Sequence, residues 1–419
     1  MTTEHITSLI CTLCASRFPL HDSLLTCPTC GDSGILDVEY DMDRIGREMT
    51  AEALSRRNRD HWRYIELLPV SAEYAPPLTV GGTPIYPAPT LARTVGLETL
   101  LLKDDGQNPT ASFKDRASSV GVAVARAQNQ PTIACSSTGN AASSLAGMAA
   151  SVGMRSVIFV PQRAPEPKLA QLAIFGATVL RVQSTYEDCF QLSMDACRHY
   201  GWYNRNCAIN PHLVEGKKTA GLEIGESLGR SMPDWVAVSV GDGCTIAGIW
   251  KGLREMYQLG FADRLPRILG VQAEQAAPIA HAFRTDTPLE PCEANTLADS
   301  IAVGVPRNGH KALKALREAH GAVATVTDEE ILLALKRTAS LAGVFVEPAA
   351  AATVAGIERA RNEGTIARGE SVLAVLTGNG LKDTRSALES ARMTAAGSSP
   401  ILDVSPDLDA VQTLLGDPS

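Results

Sequence analysis

The sequence predicts an α/β protein with parallel sheets behind a small N-terminal cysteine ribbon. Three observations carry this expectation. From Thr99 onward, short strand-like runs alternate regularly with helical patterns, as in TLLLKDD, TIACSS, RSVIFV, ATVLRV, DWVAVSV, RILGVQ, AVATVT and SVLAVL. This alternation implies parallel βαβ units with right-handed crossovers. The runs are apolar at nearly every position, which fits strands covered on both faces in a doubly wound core. Ahead of them stand Cys11-Thr-Leu-Cys14 and Cys27-Pro-Thr-Cys30. Two CxxC knuckles twelve residues apart can set four thiolates tetrahedrally around one zinc ion.

Taken in order, the residues between the knuckles (ASRFPLHDSLLT) are polar enough for a small β-hairpin, and His21 is a spare ligand the four cysteines do not need. ILDVEYDMD reads as a strand and IGREMTAEALSRR as a mixed-charge helix. Gly81, Gly82 and prolines 84, 87 and 89 supply turn chemistry. Helical patterns then run from about Phe113 to Gln128, Gly139 to Gly153, Pro167 to Gly176 and Tyr186 to Tyr200. From about Ala395 the tail is acidic and loosely patterned, an interaction tail or a mobile terminus.

Composition narrows the function classes. The 419 residues suffice for a large two-lobed enzyme, and a net charge of −8 argues against a nucleic-acid binder. The N-terminus MTTEHITSLI lacks a secretory pattern, and no apolar run is long enough to span a membrane. Six of the ten cysteines are scattered in apolar or helical contexts. That suits a reducing cytoplasm better than a disulfide framework.

The chemistry-bearing residues stand where strands end and helices begin. Lys114, in NPTASFKDR, is at the mouth of a helix. The positive end of a helix is a poor structural place for a cation, and desolvation there lowers an amine's pKa and makes it nucleophilic. Ser137, Thr138 and Asn140, in CSSTGNAA, form a corner whose hydroxyls and N–H groups suit a carboxylate. Their plain alternative is helix capping. Gly241-Asp242-Gly243-Cys244-Thr245 is a glycine-rich turn before a helix, suited to a phosphate, though neither a dinucleotide fingerprint nor a Walker loop. Thr377, in VLTGNGLKD, places a hydroxyl at a strand's C-terminal end, and Glu347-Pro348 is a weaker corner of the same kind. A reactive amine, a carboxylate cradle, a phosphate cradle and a hydroxyl are the parts needed to hold pyridoxal phosphate and present an amino acid to it.

SFKDR, STGN, the glycine corner and TGNGLKD, in that order, resemble the fold-type II pyridoxal-phosphate enzymes and specifically the threonine synthase family. The resemblance covers roughly residues 80 to 390, and a cysteine ribbon is also met in that family. It implies a zinc-ribbon segment at 1–40, a two-lobed catalytic region at 41–394 with a smaller lobe inserted at about 118–215, and a tail at 395–419. It implies that Lys114 is the Schiff-base lysine and proton shuttle, and that Asn140 meets the cofactor's phenolic oxygen. Gly241 to Thr245 would cradle the cofactor phosphate, Thr377 would face the pyridine nitrogen, and Ser137 and Thr138 would bind the substrate carboxylate. It further implies a homodimer, with structural zinc on Cys11, Cys14, Cys27 and Cys30.

The family's pattern is broken at the substrate. Where its members commonly read NPHRLEGQKT, Asn210 to Thr219 reads NPHLVEGKKT. The arginine expected to grip a substrate phosphate is Leu213, and a loop asparagine near the same phosphate is Asp242, a like charge. The hydroxyl after STGN is Ala141, and TLADSIAVGVP (296–306) resembles ammonia-lyases instead. Lys217, in place of a glutamine, is a candidate to compensate. The resemblance implies conversion of O-phospho-L-homoserine and water to L-threonine and phosphate. The departures leave open an ammonia-lyase or cysteate-synthase-like reaction on another amino acid, and a non-catalytic ligand-binding relative.

Overall fold

The computed structural model describes residues 4–20, 24–164, 166–184, 186–393 and 401–415. The strands are β1 (Ile6–Cys11), β2 (Arg17–Phe18), β3 (Thr26–Cys27), β4 (Gly31–Tyr40), β5 (Ile85–Pro87), β6 (Thr99–Asp104), β7 (Thr132–Ser136), β8 (Arg155–Pro161), β9 (Thr178–Val182), β10 (Tyr203–Asn204), β11 (Trp235–Ser239), β12 (Arg267–Ala273), β13 (Ala322–Val326) and β14 (Ser371–Leu376). They form three sheets, ordered β2-β1-β4-β3, β10-β7-β8-β9 and β13-β12-β11-β14-β6-β5. The second is parallel throughout. The third is parallel except for β5, which pairs antiparallel with β6 at the edge. Pro87 sits in that edge strand, where a missing N–H leaves no ladder bond unmade.

Alternate residues of β11 explain why its sequence is apolar throughout. Trp235 and Ala237 pack into one buried cluster, Val236 and Val238 into another. The sheet is thus covered on both faces. Full burial of each such side chain contributes about 1.5–3 kcal/mol before entropy is counted.

Five helices position the site: α1 (Lys114–Ala127), α2 (Asn140–Ala150), α3 (Pro211–Leu228), α4 (Cys244–Gln258) and α5 (Pro348–Asn362). α3 lies between α1 and α4 at backbone contact. A Cβ on Gly216 would meet the Arg116 carbonyl oxygen at 2.2 Å, and one on Gly252 would meet that of Lys218 at 2.2 Å. Beneath this junction lies a buried ionic cluster. Arg116 Nε donates to Asp105 at 2.6 Å and Nη1 to Glu223 at 2.6 Å, while Lys103 Nζ donates to Glu223 at 2.7 Å. Arg116 and Asp105 are completely buried.

Two sequence expectations are corrected. The inter-knuckle segment was expected to pair with itself, but β2 pairs with β1 and β3 with β4. Each CxxC knuckle is itself a turn, so each closes its own hairpin. The helix expected over 45–57 is two short helices, Met42–Glu48 and Ala51–Ser55, because the Thr50 side chain accepts from the Ala53 N–H and restarts the turn. The loosely patterned tail holds a helix, Leu408–Leu415, that buries none of its residues. His21 lies outside the described residues. Among the described residues, no helix is long and apolar enough to cross a membrane.

Candidate active site

Three helices begin at one place, and none of their starts is capped by a side chain. α1 begins after Phe113, α2 after Gly139 and α4 after Gly243. By contrast, Asn210 caps α3 in the usual way. Each start carries partial positive charge, and at α2 and α4 the first-turn N–H groups have no side-chain acceptor, which suits an anion. All three starts line one cavity of about 610 Å³, together with Ser137, Thr138, Lys217 and Thr377. The structure therefore brings every residue expected around Lys114 into a single chamber.

Each corner is fixed locally. Phe113 N donates to the Thr377 carbonyl at 2.9 Å, tying the start of α1 to the end of β14. The bridge Ser112↔Gly378 extends this tie, and Ala111 takes a positive φ of 62° to make the bend. Lys114 is half-buried. Burial, then the charge of Lys217, hold its amine below the ordinary lysine range. Gly243 has φ 97°, a left-handed conformation that glycine tolerates, and its Cβ position lies 2.6 Å from the Asn308 carbonyl oxygen. A side chain at this turn would displace the 306–308 loop.

Asn140 Nδ2 donates to both oxygens of Glu347, at 2.9 and 2.8 Å, and to Ser300 Oγ at 3.2 Å. Burial pushes the Glu347 carboxyl above its usual range. Glu347 thus fixes the orientation of Asn140, a role that the Glu347-Pro348 corner only hinted at.

The residues that broke the family's pattern occupy unexpected positions. Leu213 does not reach the cavity. It is fully buried, and a Cβ on Gly121 of α1 would meet its Cδ2 at 2.6 Å. The same Cβ would lie 3.9 Å from Arg205 Cγ, so an arginine stem runs beside Leu213. Arg205 follows β10, lines the cavity and is 2% exposed. Its Nε and Nη2 donate to Ser118 Oγ at 3.1 and 2.9 Å. Sequence reasoning missed Arg205. The only signal was an arginine set among buried-type residues in YNRNCAINP.

Lys217 is 1% exposed and donates to Cys244 Sγ at 2.5 Å. Burial opposes its charge, but the Cys207 and Cys244 thiols hold it above its ordinary range. Among the described residues, no carboxylate forms an ion pair with Arg205 or Lys217. Their polar partners are Ser118 Oγ for Arg205 and the Cys244 sulfur for Lys217, neither of which brings the full charge of a carboxylate. Asp242 is less repulsive than its sequence position implies. Its carboxylate accepts from Arg307 N at 2.9 Å and Asn308 Nδ2 at 3.0 Å. Burial, with Cys244 nearby, raises it to about 7, so near neutral pH its charge is partly lost.

The comparisons agree with this chamber. Residues 77–378 match the family described as pyridoxal-phosphate dependent enzyme. A threonine synthase of Methanosarcina acetivorans is 40% identical over 91% of this chain and 93% of that protein. The chain belongs to the threonine synthase family of pyridoxal-phosphate dependent enzymes. A threonine synthase of Mycobacterium tuberculosis is 39% identical over 78% of this chain and 89% of that protein. Among solved structures, threonine deaminase isoform 2 from Solanum lycopersicum aligns with a TM-score of 0.65 at 20% identity. That alignment covers 75% of this chain and 88% of the other. Diaminopropionate ammonia lyase from Escherichia coli aligns at 0.63 and 18% identity, over 78% and 89%. At such identities these two share the fold with this chain. The cofactor fits the residues present: an amine, the starts of α2 and α4 and a strand-end hydroxyl face one cavity, and the carboxyl within the glycine turn, Asp242, is raised.

Proposed function

We propose that the protein converts O-phospho-L-homoserine and water to L-threonine and phosphate. The observation that carries this is the pair of buried cations, Arg205 and Lys217, facing a cavity that also holds Lys114. Pyridoxal phosphate, when bound, supplies a carbonyl that takes up the substrate amine and a ring that stabilises charge at the α-carbon. The rest belongs to the chain. Gly241 to Thr245 and the start of α4 hold the cofactor phosphate, and Asn140, set by Glu347, orients its ring. Thr377 offers the ring nitrogen a hydroxyl, which does not keep that nitrogen protonated as a carboxylate would. Ser137 and Thr138 hold the substrate carboxylate at the start of α2. Lys114, with its amine held below the ordinary lysine range, removes the α-proton and returns it further along the substrate. Arg205 and Lys217 grip the departing phosphate in place of the arginine that Leu213 replaced.

A substrate panel tests this directly. With added cofactor, phosphohomoserine should give threonine and phosphate in equal amounts, while phosphoserine, threonine and diaminopropionate turn over far more slowly. R205M should raise KM for phosphohomoserine about tenfold to a hundredfold, the worth of one charge-assisted hydrogen bond. One observation favours a second reading, an ammonia-lyase: Ser300 to Val305, within the segment that resembles such enzymes, form a wall of the cavity. Ammonia and a 2-oxo acid from threonine, with no phosphate released from phosphohomoserine, would establish that reading instead.

We also infer a structural zinc ion at the ribbon. The four sulfurs of Cys11, Cys14, Cys27 and Cys30 lie within 4.8 Å of one another. Cys14 and Cys27 Sγ are 3.7 Å apart, against about 3.8 Å for the edge of a tetrahedron with Zn–S bonds of about 2.3 Å. The ribbon has a small core of Leu9, Cys11, Cys27, Leu36 and Val38. It is clamped to α4 through Asp37, 3.1 Å from Lys251 Nζ. Elemental analysis should find one zinc per chain, and stripping it should lower Tm by several degrees. A chain that is metal-free as purified and equally stable would rule this out.

A further inference from the structure

We propose that Cys207 and Cys244 are an oxidisable dithiol whose disulfide links the two sheets across the cavity and closes the site. Their sulfurs are 3.5 Å apart. Cys244 begins α4, after the last turn of β11 in the large sheet, and Cys207 follows β10 of the smaller sheet. Both line the cavity, so a small oxidant reaches them by the route a substrate takes. Lys217 Nζ lies 2.5 Å from Cys244 Sγ, and an ammonium beside thiols favours the thiolate that reacts. Contact with Cys244, followed by the charges of Lys217 and Arg205, brings Cys207 below the ordinary thiol range against burial. Cys207, the more exposed of the two, is the attacking sulfur and the buried Cys244 the resolving one.

With hydrogen peroxide as oxidant the chemistry balances. The Cys207 thiolate attacks one peroxide oxygen, the O–O bond breaks, and the departing hydroxide takes a proton from the Lys217 ammonium to leave as water. Cys244 sulfur then attacks the Cys207 sulfenic acid, the S–OH bond breaks, and the hydroxide leaves as a second water with the Cys244 proton. Two thiols lose two electrons to one peroxide. The product costs Lys217 its thiol partner and fixes the glycine turn to the smaller sheet, where an open chamber is needed for exchange of substrate and product. The inference stands on cavity geometry and holds whichever amino acid is the substrate.

The test uses the holoenzyme, treated with hydrogen peroxide or with glutathione disulfide, then alkylated and digested with trypsin. Residues 206–217 and 231–251 are tryptic peptides with one cysteine each. The expected result is a linked pair, lighter by two hydrogens than the two peptides together. It should grow in step with the loss of turnover, and both should reverse with dithiothreitol. C207S and C244S should each lose the linked peptide and keep a constant fraction of their own starting activity through the treatment. C292S, which removes the exposed cysteine at the cavity mouth, should still form the link. Absence of the linked peptide at full inactivation, a link that leaves turnover unchanged, or inactivation of C207S and C244S as fast as that of the unsubstituted protein would each overturn the proposal.

Discussion

Lys114→Ala is expected to lower kcat by about a thousandfold or more, the combined loss of a covalent anchor and a proton carrier. The fold should survive, because Lys114 occupies the first turn of α1 and forms no ion pair among the described residues. Near-native stability with negligible turnover is thus the expected signature. Borohydride treatment of the cofactor-loaded protein should fix cofactor to the peptide carrying Lys114 and to no other. Labelling of a different lysine, Lys217 above all, would overturn the assignment, since Lys217 shares the cavity. The two differ physically. Burial and Lys217 together hold Lys114 low, whereas the thiols beside Lys217 hold that one high and so unreactive as a nucleophile.

Arg116→Met should destabilise the protein by about 3–5 kcal/mol, the usual consequence of removing one partner of a buried ion cluster. Asp105 and Glu223 lose their shared guanidinium, and Asp105 is completely buried. Lys103 still serves Glu223, so Asp105 bears most of the cost. Urea denaturation should show a lower midpoint at an unchanged slope. Adding Asp105→Asn should recover part of the loss, because the stranded charge is then gone. A midpoint shift below about 1 kcal/mol would show that water reaches the cluster. Activity should fall as well, since Arg116 anchors the first turn of α1, two residues after Lys114.

The central strands were legible because they are apolar on both faces, and only a doubly covered sheet accommodates that. β14, SVLAVL, is one polar residue and then an unbroken apolar run to its end. The helix starts were legible for a related reason: a short run of Gly, Ser, Thr and Asn after a strand is the local chemistry of an exposed set of N–H groups. What failed was local competition. Thr50 could continue a helix or cap a new one, and only the packed chain shows that it caps. The knuckles could flank a hairpin or form two, and the choice lay in the pairing of β2 and β3 with distant strands.

The sequence by itself determined the α/β class, the two paired cysteine knuckles and the set of residues around Lys114. Those depend on spacing along the chain and on the chemistry of single side chains. Only the tertiary structure decided how the substrate's charge is met. Leu213 announced the loss of an arginine, and the proposed replacement, Arg205, lies on a different element with its stem passing the same glycine of α1. Asp242 announced a like charge, yet burial raises its carboxyl and weakens that charge against two donors that favour it. Cys207 and Cys244 are thirty-seven positions apart in the chain and meet only because α3 holds Lys217 against α4. Charge in a cavity is set by what surrounds it in space, and no pattern along the chain carries that information.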